Sequence, residues 1–261
     1  MKDSPYFEIG SVIEINNISE LLDLNKEKTY KSPGELWERE QDEDNKDKRK
    51  SFIKNNVSRM ILGHNTSGLF RGQYYNWPLL PSIYRNNNDN SHLNKFYKIA
   101  AEQNLEFSRH SKIDQMTIAQ HYGLNTPLLD WTTNIFVALY FSIYPEVGAN
   151  RLVEDFTPCI YHMPDERCLN NNTQNENLEL IKESFLVKPL PIDRRVERQF
   201  SAFTLHPLPS NVINKIMIYE YRLINIIEEL WNLMKGLGFS PWHYFPDYAG
   251  IVENIKKDNT F

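Results

Sequence analysis

The stretch TPLLDWTTNIFVALYFSIY, residues 126–144, decides how the chain is read. Its second half, from Asn134 on, is apolar nearly all the way round. A helix of that kind has no polar face for water and belongs inside a protein, with Asn134 as its N-terminal cap. The first half puts Asp130 and two threonines beside Trp131 and two leucines. Together with Leu124 and Asn125, it reads as a polar-punctuated loop feeding the buried helix. Upstream, apolar residues at helical spacing predict a helix over 91–108 and a second over 113–122, closed by Gly123 as its C-cap.

Beyond the buried helix the period changes. PCIYHMP, SFLVKPLP, SAFTLHPL and part of NKIMIYEYRL read as strands. INIIEELWNLMKGLG returns to helix, ending at Gly236 or Gly238, and FSPWHYFPDYAGIVENIKK adds an aromatic turn and a last helix. Near the N-terminus NISELLDLN and GELWERE read as short helices with Ser19 and Ser32 as caps, and 40–50 as a solvated charged run. Helices, then strands, then helices make an α+β pattern with a mainly antiparallel sheet. The expected organisation is an N-terminal helical extension, 1–55, followed by one globular unit, 56–261.

The chain has 261 residues, 41% of them hydrophobic and 13% aromatic, enough for a proper core. A net charge of −5 argues against a generally basic nucleic-acid surface while allowing a local basic patch. No apolar run of membrane-spanning length occurs, and the N-terminus lacks the apolar core of a secretory signal. The expectation is a cytoplasmic protein with no membrane partner. The two cysteines, Cys159 and Cys168, make neither a zinc cluster nor a disulfide framework; two reduced thiols and no metal are expected. Walker loop, dinucleotide GxGxxG, nucleophile elbow, HExxH and CxxC are all absent.

Chemistry gathers at three places. In LFRGQYYNWPLLPSIYR, residues 69–85, Arg71 follows a large aromatic and precedes Gly72. A guanidinium there grips a diphosphate, with the glycine letting backbone approach the ligand, or else pairs with a buried carboxylate such as Asp130. Trp77, Leu79, Leu80 and Ile83 read as packing. In the second place, Asp130 caps the helix or orients Arg71. Thr132 and Thr133 either bond a ribose or phosphate near a helix N-terminus or simply cap that helix. His121 is a structural histidine or a donor to a ligand. In the third, DRRVERQ is a solvated basic turn, or one arginine meets a phosphate while Glu197 and Gln199, two apart on a strand, share a face.

Three segments together, 69–85, 119–142 and 193–207, resemble the FRG domain family, named for a Phe-Arg-Gly motif. LGFSPWHYFPDYAGI resembles that family's C-terminal Phe-Pro-Asp segment, so the likeness runs from about Asn56 to Ile255. More distantly, the chain resembles ADP-ribosyltransferases of the arginine-serine-glutamate type. That likeness implies an ADP-ribosyltransferase-like sheet core with NAD as substrate. It makes Arg71 and Gly72 the dinucleotide strand and puts Asp130, Thr132 and Thr133 on the second binding piece, to which the chemistry of His121 adds a further candidate. Glu197 and Gln199 stand where such enzymes carry a Glu-x-Glu pair. Gln199 departs from the pattern, since a neutral amide accepts a ribose hydroxyl but lacks the full charge that stabilises a cationic transition state.

Two functions follow. One is an effector in a defence or toxin setting that transfers ADP-ribose to a protein or nucleic acid, or cleaves NAD. The other is a module on the same scaffold that binds NAD, another anionic nucleotide or a nucleic-acid end without turnover. A nuclease or hydrolase would need clustered carboxylates, and the sequence offers no compelling set.

Overall fold

A computed structural model describes residues 4–23, 68–75, 77–85, 90–143, 157–164, 181–191, 194–239, 241–246 and 248–257. The strands are β1 (Phe7–Ile15), β2 (Leu69–Gln73), β3 (Leu128–Thr132), β4 (Cys159–Met163), β5 (Phe185–Val187), β6 (Ser201–Leu205) and β7 (Ile216–Leu223). They form one sheet in the order β1-β7-β4-β2-β3-β6-β5. Every pairing is antiparallel except β1 with β7, which is parallel. The helices are α1 (Ile18–Asp23), α2 (Ser91–Gln103), α3 (Lys112–His121), α4 (Ile135–Ile143), α5 (Arg194–Arg198), α6 (Ile227–Gly236), α7 (Pro241–Tyr244) and α8 (Tyr248–Lys257). An α+β fold with a mostly antiparallel sheet is what the pattern of periods predicts.

The helix α4 is buried along nearly its whole length, and Asn134 caps it, its Oδ1 accepting from the Phe136 N–H at 2.9 Å. It lies on one face of the sheet with Phe70, Ile160, Tyr221, Leu223 and the buried side of α6. The other face carries Leu69, Leu129, Trp131, Tyr161 and Met163, covered by Tyr6, Phe7 and Leu79. Neighbours along β2 therefore point to opposite cores, as the strand period requires. Cys159 is a free thiol buried in the second of these cores, and burial pushes its pKa up to about 12. Cys168 lies outside the described residues.

Residues 124–133 are loop only in part, at 124–127 and at 133. Leu128–Thr132 is an interior strand between β2 and β6, with every side chain buried except that of Asp130. A short strand covered on both faces loses the alternation that announces a strand in sequence. Within the stretch expected to be a helical extension, Phe7–Ile15 is instead an edge strand of the sheet, paired with β7. A register shift between Ile9 and Ser11 sends Phe7 and Ile9 to one core and Ile13 and Ile15 to the other. The short helix expected after it is α1, but its cap is Asn17 rather than Ser19. Asn17 Oδ1 accepts the Glu20 N–H at 2.9 Å, and Glu20 reaches back to the Asn16 N–H at 2.7 Å. GELWERE, Ser32 and the charged run 40–50 lie outside the described residues.

The helix expected over 91–108 ends at Gln103, and a single turn of 3-10 helix follows at Phe107–Arg109. Gly123, at φ +86°, and Gly238, at φ +81°, hold the left-handed conformation that ends α3 and α6. Among the described residues no helix is long and apolar enough to cross a membrane.

Candidate functional site

β2 and β3 are neighbours in the sheet but pair only at Phe70 and Thr132. On their outer sides each strand pairs along its whole length, β2 with β4 from Leu69 to Gln73 and β3 with β6 from Leu128 to Thr132. The sheet therefore splits between them, and a cleft of about 460 Å³ opens at the split. Its walls are β2 and β3, the exposed end of α3, one side of α4, the α5 turn and Phe245 from the C-terminal segment.

Arg71 stands at the split with a side chain only 16% exposed. Its Nε donates to Gln73 Oε1 at 3.2 Å and its Nη1 to the Asp130 carbonyl at 2.7 Å. Nη1 also lies 3.6 Å from the Asp130 carboxylate, which is itself 60% exposed. The expected pairing of Arg71 with Asp130 is present, but the carboxylate is at the surface rather than buried. A second contact fixes it: Gln120 Nε2 donates to Asp130 Oδ1 at 2.9 Å, and Gln120 Oε1 accepts from the Thr126 hydroxyl. Burial pulls the Arg71 pKa below the ordinary arginine value; the Asp130 charge opposes that and Arg85 adds to it. Two guanidiniums close enough to repel are a configuration that an anion relieves.

Gly72 has a different task from the one its motif suggests. A Cβ there would lie 1.8 Å from the Ala138 carbonyl oxygen and 2.8 Å from the Ser142 nitrogen. The glycine lets α4 lie directly on β2; backbone approach to a ligand is not what requires it. Thr132 is buried, and its hydroxyl donates to the Gln199 carbonyl at 2.7 Å while accepting from the Asn134 N–H at 3.0 Å. It ties β3 to the start of α4 and to the α5 turn. Thr133, exposed, lies off the cleft, with its N–H donated to the Phe200 carbonyl at 3.1 Å.

Within DRRVERQ, residues 194–198 form the helix α5 rather than a strand, and Gln199 lies in the turn that follows. Phe200, at φ +48°, then reverses the chain into β6. Glu197 is exposed and is not part of the cleft wall, whereas Arg195 and Gln199 are. The two candidate acceptors therefore do not share a face. Gln199 Nε2 donates to the Tyr244 carbonyl at 3.2 Å, which directs the amide. Arg195 lies over the Phe245 ring at 5.1 Å. His121 lines the cleft at the end of α3, its ring edge-on to Tyr122.

Of the sequence candidates, the cleft brings together Arg71, Gly72, His121, Asp130, Thr132 and Gln199, and leaves out Thr133 and Glu197. It adds Gln73, Trp77, Arg85 and Gln120. Gln73 is buried; besides receiving Arg71 Nε, its Nε2 donates to the carbonyls of Tyr75 at 3.4 Å and Trp77 at 3.0 Å. A polar amide two residues after Arg71, and so on the same face of the strand, was the signal available for it. Trp77, which reads as packing in the sequence, is 57% exposed at the rim. Among the described residues the wall holds three arginines and one carboxylate, with an apolar floor from Phe70, Trp131, Val137 and Ala138.

No curated protein and no solved structure matches the chain. The model of the FRG domain matches residues 66–149. That span supplies β2, α2, α3, β3 and α4, and with them Arg71 and Asp130 on the two lips of the split. The segments 193–207 and 237–251, which close the cleft from the other side, lie beyond it. The chain thus carries an FRG domain over residues 66–149, and the cleft is built largely from it.

Proposed function

We propose that the cleft takes NAD or a closely related nucleotide and that the chain is an effector of ADP-ribosyltransferase type. The observation that carries this is the split between β2 and β3, where Arg71, Arg85 and Arg195 gather around an apolar floor. A diphosphate suits the guanidiniums, which stay charged at any physiological pH, and the flat apolar parts of a dinucleotide suit the floor. In this reading Arg71 holds the diphosphate. The Gln199 amide, with its N–H given to Tyr244, presents its oxygen to a ribose hydroxyl. The bond from the ribose anomeric carbon to nicotinamide breaks, and nicotinamide leaves with the electron pair, which neutralises its ring. Water or an acceptor nucleophile then bonds to the cationic ribose carbon and gives up a proton to solvent.

A second reading has its own observation. Gln199 is neutral and Glu197 faces away, so the only carboxylate on the wall, among the described residues, is Asp130, engaged by Arg71 and Gln120. A site so made favours holding a nucleotide over cleaving it. Incubation with NAD labelled in the adenylate, with cell protein and nucleic acid as acceptors, separates the two. Nicotinamide release or label transfer establishes turnover; saturable NAD binding with neither selects the binding module. Absence of NAD binding removes the enzyme reading and leaves the module only another nucleotide or a nucleic-acid end as ligand.

A further inference from the structure

Trp77 is the largest side chain on the rim, and more than half of its surface is in water. An indole left so exposed forgoes the burial that normally stabilises it. It is nevertheless held firmly. The Trp77 backbone N–H donates to the Tyr75 carbonyl at 2.8 Å, the Trp77 backbone carbonyl receives Gln73 Nε2 at 3.0 Å, and the indole ring leans on Tyr75 with centroids 4.7 Å apart. The same Gln73 side chain accepts the Arg71 Nε–H on its other end. One buried amide therefore sets both the cation in the cleft and the ring at its edge. Arg85, whose Nε is anchored on the Leu80 carbonyl at 2.9 Å, lines the same wall.

A pre-positioned aromatic surface beside two guanidiniums matches a ligand that joins a flat ring to an anion. Resting on the nucleotide reading of the cleft, we infer that Trp77 is the stacking platform for the ligand's nucleobase, with Arg71 and Arg85 taking its phosphates. The tryptophan then covers its exposed face only when ligand is present, and the base contributes affinity that the phosphates alone do not.

The test is titration of the full chain with ADP-ribose and, separately, with inorganic pyrophosphate, in wild type, W77A and W77F. Stacking on one base corresponds to a loss of about 5- to 150-fold on truncation. The expected result is that W77A weakens ADP-ribose by a factor in that range and leaves pyrophosphate unchanged, while W77F recovers most of the loss. If wild type binds ADP-ribose and W77A binds it equally well, or loses both ligands to the same degree, the base subsite is wrong while the nucleotide cleft stands. If wild type binds neither ligand, the nucleotide reading falls and this inference falls with it.

Discussion

Glu197 and Gln199 are two residues apart, and on a strand they would point together. On the α5 turn that relation is lost, because a helix advances by about 100° per residue. Glu197 ends up in solvent while Gln199 reaches the cleft and the Tyr244 carbonyl. Should the chain cleave NAD, Glu197→Ala is expected to leave the rate unchanged. Gln199→Ala should slow it, and Gln199→Glu should raise it by tenfold or more, on the order of what one directed electrostatic contact supplies in a transition state. Initial rates of nicotinamide release check all three. A rate fall in Glu197→Ala with an unchanged melting temperature would overturn the placement of that side chain.

At the scale of elements, the contact that shapes the cleft is α4 lying on β2. The helix is apolar on every side because it is wrapped by the sheet on one side and by α6 and the C-terminal aromatics on others. Its closest approach is at Gly72, where no Cβ fits against the Ala138 carbonyl. Gly72→Ala must push the helix off the strand, and overpacking of this kind costs about 1–3 kcal/mol. Urea unfolding should show that loss. A stable Gly72→Ala with weakened nucleotide binding alone would instead return the glycine to the ligand.

Across the whole molecule, one buried histidine joins segments that are distant in sequence. His206 bonds the Ser184 hydroxyl through Nδ1 at 2.7 Å and the Thr204 hydroxyl through Nε2 at 2.6 Å. Thr204 Oγ1 in turn accepts the Trp131 indole N–H at 2.8 Å. Tyr6 and Phe7 pack on the imidazole, and Tyr84 Oη donates to its carbonyl. Burial, reinforced by the charge of Arg71, lowers its pKa from 6.5 to about 3. The unfolded chain takes up a proton near pH 6.5 and the folded chain does not, so this stability is complete above that pH. It falls as pH drops towards about 3, by about 1.4 kcal/mol per unit. Between pH 7 and 5 the wild type is expected to lose about 2 kcal/mol more than His206→Gln, read from urea midpoints. Equal losses in the two proteins would show that the histidine is not held neutral.

The sequence by itself determined the helices α1 to α4, α6 and α8, the four strands of the second half and the arginine of the FRG motif. Those features rest on local periodicity and caps, which act over a few residues: Asn134 before an all-apolar run, or Gly123 and Gly238 at helix ends. It did not determine β1 or β3. A serine at an inward position and an exposed Val12 blur the apolar alternation of one, and burial on both faces removes it from the other. Nor did it place Trp77 at the rim, Glu197 in solvent or Gln73 between Arg71 and the Trp77 turn. Each of these depends on where β2 and β3 part and on how α5 turns into β6. Both are set by packing between segments that the chain keeps far apart, and only the tertiary structure brings those together.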